Sequence, residues 1–278
     1  MNAHEFGETT DLGSSCREIR RSEIDHMKVH GWVKLDKLIT AGAAKYLLRR
    51  AKETMGEEGD ARAAPKGAGV RFFVPGGFDG FADEEIRPLV KAMGRAARAL
   101  MDRGDDTQVR YSRSGVLAKL PVSKAASLSG ASKTDFHQDL PEWCVDRTGG
   151  MTIWIALEEY GPEAGTMCFL DGSHRMGPLG GIKTRPGDVT DVYPKLLQEC
   201  PPTPQIHYKA GDATAHFDLC VHGASTNNSD KPRFSFTAIF LPADACWTGS
   251  PFDMRDEATA AMTKFQQLDD RWFPIVSE

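Results

Sequence analysis

Two kinds of side chain alternate along the stretch Arg233-Phe-Ser-Phe-Thr-Ala-Ile-Phe-Leu241, near the end of the chain. Because successive side chains of an extended strand point to opposite faces, the phenylalanines share one face while Arg233 and Ser235 share the other. A surface strand usually turns its polar face to water. In a jelly roll one face lines the barrel instead, so we expect Arg233 and Ser235 to point inward, where a guanidinium can hold a buried carboxylate at two points.

Other short predicted strands precede this one, separated by turn signals such as Gly149-Gly150 and Asp171-Gly172. The candidates are Ser114–Leu120, Thr134–Leu140, Thr152–Leu157, Thr166–Leu170, Gln205–Tyr208, Ala213–Phe217, Leu219–Ala224 and Arg233–Leu241. Helices first and then many strands favour a mainly β fold with supporting α. We predict a β-sandwich or jelly roll with a core over about residues 109–242 and N-terminal helices packed on one side.

The N-terminal part carries helix signals. Ser22-Glu-Ile-Asp25 resembles a capping box and predicts a short helix before a strand over Gly31–Leu35. Thr40 can cap a second helix, in which alanines and leucines recur at three- and four-residue spacing, and a third apolar stripe runs over 83–102. Between these two helices, residues 56–81 are rich in Gly and Pro and predict a long loop, either a lid or an ordinary surface excursion.

Composition sets the broad class. The chain has 278 residues, 40% hydrophobic and 26% charged, so we predict one domain over 1–278 with room for an interior cavity. A net charge of -5 and a pI near 5.9 argue against nucleic acid as a partner. The six cysteines are scattered singly, as in a reducing compartment, and no apolar run is long enough to span a bilayer. We therefore expect a cytoplasmic protein with neither a membrane nor a nucleic-acid partner; nothing specifies an oligomeric state.

His137 and Asp139 stand two residues apart in the sequence His-Gln-Asp. In an extended segment they point to the same face, so an imidazole and a carboxylate converge on one point. A third ligand would complete two histidines and a carboxylate on one side of a metal, which suits non-haem Fe(II) with positions left for oxygen chemistry. His222, eleven residues before Arg233, is the favoured third ligand, and His216 is its rival because the two share strand parity.

Four blocks in a fixed order resemble the phytanoyl-CoA dioxygenase family of Fe(II)- and 2-oxoglutarate-dependent oxygenases. They are His137-Gln-Asp139, Cys168-Phe-Leu-Asp-Gly-Ser-His174-Arg-Met-Gly-Pro-Leu, Gly211-Asp-Ala-Thr-Ala-His216-Phe-Asp-Leu-Cys-Val-His222-Gly-Ala and Arg233-Phe-Ser235. The resemblance covers roughly residues 110–242, and the Gly31-Trp-Val region is similar to the family's N-terminal part. Asp171 stands where the family usually has Pro before Gly-Ser-His, a departure that leaves the metal residues untouched.

This resemblance implies a double-stranded β-helix, the cupin-like form of the jelly roll, in which His137, Asp139 and His222 hold Fe(II). It also implies that Arg233 grips the distal carboxylate of the cosubstrate 2-oxoglutarate and that Ser235 assists. Because three protein ligands leave three positions on the iron, two are available to the keto acid and one to O2.

Three further residues are carried over from the resemblance as cofactor-binding residues. Lys119 stands where the family often has a basic residue before a proline. Trp154 and Thr134 occupy positions that lie near the cosubstrate in some members. We therefore expect all three to border the 2-oxoglutarate pocket.

The implied activity is oxidation of a C–H bond in a small or medium-sized organic substrate, with release of succinate and CO2. Related halogenases have Ala or Gly at the carboxylate position, so Asp139 favours hydroxylation, desaturation or a related oxidation, as in specialised metabolism. Two alternatives remain open: a non-catalytic jelly-roll module that binds a ligand, and a cupin-like zinc hydrolase, since the same donors suit zinc. The intact Arg233-Phe-Ser235 favours the oxygenase.

Overall fold

A computed structural model of the chain describes residues 11–55, 78–104, 107–125, 133–180, 187–250 and 256–277. Most of the loop predicted over 56–81 lies outside the described residues, so its role as a lid stays a prediction. The helices are α1 (Arg21–His30), α2 (Ala41–Met55), α3 (Arg87–Met101), α4 (Val122–Ala125), α5 (Val189–Val192), α6 (Leu196–Glu199) and α7 (Asp256–Ala261). The strands are β1 (Trp32–Leu35), β2 (Val109–Lys119), β3 (Thr134–His137), β4 (Met151–Ala156), β5 (Met167–Phe169), β6 (Ala213–Phe217), β7 (His222–Ala224) and β8 (Arg233–Pro242).

The strands form two sheets in which every pairing is antiparallel. The large sheet has the order β1-β6-β4-β8-β2, and the small sheet has the order β3-β7-β5. Non-sequential neighbours of this kind are typical of a jelly roll, and the predicted fold class, mainly β with supporting α, is confirmed. Strand β1 comes from upstream of the predicted core range and adds an edge to the large sheet.

The outer face of the large sheet packs on the N-terminal helices. Phe234, Phe236 and Phe240 of β8 are buried in one cluster with Leu47 of α2 and Leu100 of α3. Fully burying side chains of this size stabilises the fold by about 1.5–3 kcal/mol each. This apolar cluster fixes which face of β8 is outward, and it therefore leaves the opposite face for the interior between the two sheets.

That inner face is lined with aromatic residues. Trp154 of β4, Phe169 of β5 and Tyr208 are buried together, in a cluster separate from the one under the helices. Arg233 and Ser235 lie on the same side of β8 as this cluster and expose only 3% and 0% of their surface. A guanidinium buried to this degree is costly unless it has an anionic partner.

Of the two helix caps predicted from the sequence, one is confirmed and one is wrong. The Thr40 hydroxyl accepts a hydrogen bond from the backbone N–H of Ala43 at 3.2 Å, so the predicted cap of α2 is confirmed. The capping box expected at Ser22-Glu-Ile-Asp25 is wrong. Helix α1 is instead capped around Arg20, whose backbone N–H donates to the Glu23 carboxylate at 2.8 Å, because Glu23 is also held by Arg17.

Three strand predictions need correction. The strand predicted over Leu219–Ala224 begins only at His222. Residues 205–208 form no strand; Tyr208 makes only an isolated bridge to Tyr160. The strand predicted over Thr134–Leu140 ends at His137, because the chain turns into a short 3-10 helix at Leu140–Glu142. Among the helices that the structure describes, none combines the length and the apolar character needed to cross a bilayer.

Candidate metal centre

The small sheet brings the two predicted histidine ligands together. His137 ends β3 and His222 begins β7, and the two residues are paired partners across the strands. Their ring centroids lie 4.3 Å apart. Directly opposite residues of an antiparallel pair share a face, so the pairing alone directs both imidazoles to the same side of the sheet.

Asp139 reaches the same point from beyond the end of β3. Its backbone is helical (φ -79, ψ -39) rather than extended, so it is a turn and not strand alternation that aims the carboxylate. The backbone N–H groups of Asp139 and Leu140 both donate to the carbonyl oxygen of Asp218 at 3.0 Å, which fixes this turn. Asp139 Oδ1 then lies 3.6 Å from the Nε2 of His137 and 3.6 Å from the Nε2 of His222.

Both histidines are oriented by the protein as metal ligands usually are. Nδ1 of His137 lies 2.8 Å from the carbonyl oxygen of Asp135, and Nδ1 of His222 lies 3.0 Å from that of Cys220. Because a carbonyl only accepts, each Nδ1 must carry the proton, which leaves the lone pair on Nε2. Backbone carbonyls commonly fix the tautomer of metal-bound histidines in this way.

Burial sets the charge state of these groups. The pKa of His222 lies well below its ordinary value because burial disfavours the charged ring and because positive charge on the neighbouring His216 and His137 would repel it. Burial alone would raise the pKa of Asp139, but the surrounding imidazoles reverse the effect and hold it well below its ordinary value. A neutral imidazole and an ionised carboxylate are the forms that bind a metal.

The three residues fit a single ion. In the part of the chain that the structure describes, His137, Asp139 and His222 form the one cluster whose ligand atoms all lie within 4.8 Å of one another. An ion about 2.0–2.2 Å from each atom can span separations of 3.6 Å. Two imidazoles and one carboxylate on one side of an ion are the donor set of non-haem Fe(II) sites with open positions.

His216, the rival third ligand, lies behind the carboxylate. Its Nε2 is 3.3 Å from Asp139 Oδ2, the oxygen that does not face the other two imidazoles. The Thr152 hydroxyl donates to the same Oδ2 at 2.7 Å. The geometry therefore favours His222 over His216 as the third donor.

Arg233 lies at one end of the inner face of β8, and its buried guanidinium is only partly satisfied. One terminal nitrogen donates to the carbonyl oxygen of Gly165, and the guanidinium carbon lies 5.2 Å from the centre of the Trp154 ring. Its Nε is buried without a hydrogen-bond partner, and no carboxylate of the described residues pairs with it. Burial lowers the pKa of Arg233 to about 10, so the side chain remains charged at neutral pH and can hold an anion.

The other predicted cosubstrate residues surround Arg233. Lys119 is its paired partner on β2 and is itself fully buried. The Lys119 ammonium donates to the carbonyl oxygen of Ser225 at 2.7 Å and to the Thr134 hydroxyl at 3.4 Å. Ser235 donates to the carbonyl oxygen of Leu117 at 3.3 Å. Arg233 and Lys119 thus place two buried basic side chains on neighbouring strands, where both can donate to one anion.

Several residues of the site escaped the sequence reasoning. Tyr160 and Tyr208 lie close enough to Arg233 to interact with its charge, and burial raises the pKa of both hydroxyls far above its ordinary value. Thr152 was missed as well; it donates to the far oxygen of Asp139, beside His216, which the sequence singled out only as a rival ligand. Strand parity could have placed Thr152 on the inner face, but nothing in the sequence signals its contact with Asp139.

Comparison with known proteins agrees with this geometry. Residues 113–235 match the family model described as phytanoyl-CoA dioxygenase (PhyH). A curated phytanoyl-CoA dioxygenase of Arabidopsis thaliana is 26% identical over 168 residues, which make up 60% of this chain and 57% of that protein. The match thus spans a little more than half of that relative's length.

Solved structures share the fold over most of the chain. The non-haem alpha-ketoglutarate-dependent carbocyclase SnoK from nogalamycin biosynthesis has a TM-score of 0.73 and 21% identity, with 97% of this chain and 99% of that chain covered. The epimerase SnoN in complex with Fe3+, alpha-ketoglutarate and nogalamycin RO has a TM-score of 0.70 and 24% identity, with 92% and 97% covered. EctD from S. alaskensis with bound Fe has a TM-score of 0.62 and 16% identity, with 82% and 79% covered.

In fold, the chain is thus similar to enzymes described as non-haem and alpha-ketoglutarate-dependent, and its cluster of His137, Asp139 and His222 has the donor set of a non-haem Fe(II) site. In sequence, residues 113–235, a little under half of the chain, resemble the phytanoyl-CoA dioxygenase family.

Proposed function

We propose that the protein oxidises a C–H bond of a small or medium-sized organic substrate and that His137, Asp139 and His222 hold the Fe(II) for this reaction. In the overall balance, substrate, 2-oxoglutarate and O2 give oxidised substrate, succinate and CO2. The observation that carries the proposal is the convergence of two Nε2 atoms on Asp139 Oδ1, each at 3.6 Å. Bound iron would supply the activation of O2, and the protein supplies ligands, orientation and a shielded cavity.

The cosubstrate position follows from charge. Arg233 offers two-point recognition of a carboxylate, and its unpartnered Nε is a donor available for that purpose. Lys119 adds a second buried positive charge next to it, and Ser235 and Thr134 add hydroxyls. We assign the distal carboxylate of 2-oxoglutarate to these four residues and its keto-acid end to the metal. Trp154 of β4, the strand that lies between β8 and β6, forms one side of this pocket.

Carboxylate ligation also limits the type of oxidation. Halogenases of this kind lack the carboxylate, and a halide binds the metal in its place. Because Asp139 supplies the carboxylate here, that position is not available to a halide. Hydroxylation, desaturation and related oxidations are the outcomes that this donor set supports. The relatives named for steps of nogalamycin biosynthesis support a substrate from specialised metabolism, and a small-molecule substrate is the one partner we propose.

The first experiment tests binding and turnover together. Protein loaded anaerobically with Fe(II) is titrated with 2-oxoglutarate by calorimetry, and succinate formation and O2 uptake are then followed after air is admitted. We expect binding of 2-oxoglutarate that depends on the metal, and slow succinate formation even without substrate. Absence of both results would refute the proposal.

The same experiment separates the alternatives. A non-catalytic binding module would bind a ligand without consuming O2. A zinc hydrolase would retain activity with Zn(II) and would not need 2-oxoglutarate, whereas the oxygenase is inactive with Zn(II). Metal analysis of the protein as purified, combined with O2 uptake, distinguishes the three functions. Fractionation of the native host's cells would test the predicted cytoplasmic location, and size-exclusion chromatography would give the oligomeric state.

A further inference from the structure

The two oxygens of the Asp139 carboxylate have different surroundings. Oδ1 faces the Nε2 atoms of His137 and His222, whereas Oδ2 receives the Thr152 hydroxyl at 2.7 Å and lies 3.3 Å from His216 Nε2. On the basis of the proposed function, we propose that Thr152 and His216 act as positioning residues that hold Oδ2 away from the metal and keep Asp139 a one-oxygen ligand.

The sheet builds this pair of contacts. Thr152 of β4 and His216 of β6 are paired partners, so their side chains rise side by side from the inner face of the large sheet. His216 is almost fully buried, at 1% exposure, and its ring lies 4.0 Å from the His222 ring between centroids. Both side chains project from paired positions of the large sheet, so this sheet determines the position of Oδ2 even though Asp139 itself follows a strand of the small sheet.

The tautomer of His216 follows from its two nitrogens. Nδ1 is buried and has no hydrogen-bond partner in the described part of the chain. If Nδ1 carried the proton, a buried N–H would be unsatisfied and the Nε2 lone pair would face a carboxylate oxygen. With the proton on Nε2, that N–H donates to Oδ2 and only an acceptor is left unpaired, which is the less costly arrangement. His216 Nε2 is therefore a donor to Asp139 and has no lone pair to offer a metal.

The number of open metal positions depends on this arrangement. A carboxylate that binds through one oxygen leaves three of six positions free after two histidines, which are two for the keto acid and one for O2. A carboxylate that binds through both oxygens would take one of these three. The hydrogen bonds from Thr152 and His216 to Oδ2 oppose a rotation of the carboxylate that would bring Oδ2 to the metal. Loss of these bonds should therefore weaken 2-oxoglutarate binding more than metal binding.

The test compares two affinities in the same variants. Mn(II), which does not react with O2 under these conditions, is titrated by calorimetry into wild-type protein, Thr152→Val, His216→Phe and the double variant, and 2-oxoglutarate is then titrated into each Mn(II)-loaded protein. We expect the Kd for 2-oxoglutarate to rise about tenfold or more in the double variant, the scale of outer-shell effects at metal sites, while the Kd for Mn(II) changes by less than about threefold.

Conservative variants show whether the hydrogen bonds are responsible. Thr152→Ser and His216→Gln retain a donor and should stay close to wild type. Thr237 lies on the same face of the large sheet, and its hydroxyl donates to the carbonyl oxygen of Gly115 at 3.4 Å. Thr237→Val therefore controls for the loss of any threonine hydroxyl and should have a smaller effect than Thr152→Val. Since Val has nearly the shape of Thr, the Thr152→Val and Thr152→Ser pair decides the matter even if His216→Phe fails to fold.

The outcomes are distinct. Selective loss of 2-oxoglutarate affinity supports the positioning role. Parallel loss of both affinities, or a larger loss for Mn(II), would show that the pair merely supports the structure of the site and would overturn the inference, as would wild-type values for both. Failure of wild-type Mn(II)-loaded protein to bind 2-oxoglutarate would instead overturn the proposed function itself.

Discussion

The two sheets contribute different parts of the site. The small sheet has strands of three or four residues and a register shift between β3 and β7, yet it carries His137 and His222. The large sheet has strands of up to eleven residues and carries the cations, Arg233 and Lys119. Strands this short share few ladder hydrogen bonds, so a small sheet depends on packing against other elements for its stability. The proposed metal ligands therefore depend on contacts from outside their sheet, whereas the cations proposed to bind the cosubstrate are positioned by their own long strands.

Gln138 supplies much of the outside support of the small sheet. This residue lies between His137 and Asp139 and is fully buried. Its side-chain amide donates to the carbonyl oxygens of Gly177 and Leu219 at 2.8 Å each, and its oxygen accepts from the backbone N–H of Leu179 at 2.5 Å. The middle residue of the motif thus binds the neighbouring loops to the strand that carries the ligands.

Loss of a metal ligand from the small sheet should have the largest effect. In His222→Ala the buried Nε2 lone pair is gone, so Mn(II) affinity should fall by more than the roughly 100-fold that outer-shell changes produce, and 2-oxoglutarate binding should be lost with it. Calorimetry with Mn(II) measures the change. His207→Ala, at an exposed histidine, is the matched control. Retained Mn(II) affinity in His222→Ala would remove His222 from the ligand set.

Loss of a cation from the large sheet should separate cosubstrate from metal. Arg233→Ala should weaken 2-oxoglutarate binding by about 100-fold, within the 2–5 kcal/mol that truncating a buried charged partner costs, and should leave Mn(II) affinity nearly unchanged. Titration of 2-oxoglutarate into Mn(II)-loaded protein measures this.

Arg233→Lys is the control for charge, because Lys keeps the positive charge and loses the planar fork. We expect an affinity between those of wild type and Arg233→Ala. Equal loss of Mn(II) and 2-oxoglutarate affinity in Arg233→Ala would contradict the proposal that the small sheet binds the metal and the large sheet binds the cosubstrate.

Removal of the Gln138 amide should loosen the small sheet alone. Gln138→Leu removes the hydrogen-bond partner of backbone groups at the half-buried residues Gly177, Leu179 and Leu219 and should cost about 1–3 kcal/mol of unfolding free energy. Hydrogen exchange should become faster in β3 and β7 and stay slow in β8. Gln198→Leu, at an exposed glutamine of α6, is the control. Uniformly faster exchange in both sheets would mean that they open as one unit.

The smallest expected effect concerns a link between the sheets. His174 follows β5 and packs against Gly31, just before β1. Burial, with a contribution from Arg175, lowers the pKa of His174 below its ordinary value. Below about pH 6.5 the unfolded chain therefore binds the proton more readily than the folded one, and stability falls as pH falls.

Thermal unfolding at pH 7 and pH 5 measures this loss. His174→Gln should show a smaller drop in melting temperature between the two pH values than wild type does. His207→Gln, at an exposed histidine, should keep the wild-type drop. An unchanged drop in His174→Gln would show that His174 does not contribute to the pH dependence.

The sequence determined the fold class and the identity of the residues that meet at the site. Alternation along β8 separates the phenylalanines from Arg233 and Ser235, because strand periodicity is a local property. The predicted cap at Thr40 rests on equally local chemistry. The two-residue spacing of His137 and Asp139 is equally local, and their role with His222 as iron ligands stays a prediction.

Only the tertiary structure decided how these residues face one another. Strand alternation predicted that His137 and Asp139 would converge, yet Asp139 converges through a turn held by the Asp218 carbonyl. His216 passed as a rival ligand until the pairing of β4 with β6 placed it beside Thr152, behind the carboxylate. Periodicity fixes which face a side chain takes, but strand register and loop contacts join residues far apart in the chain, and no local pattern encodes them.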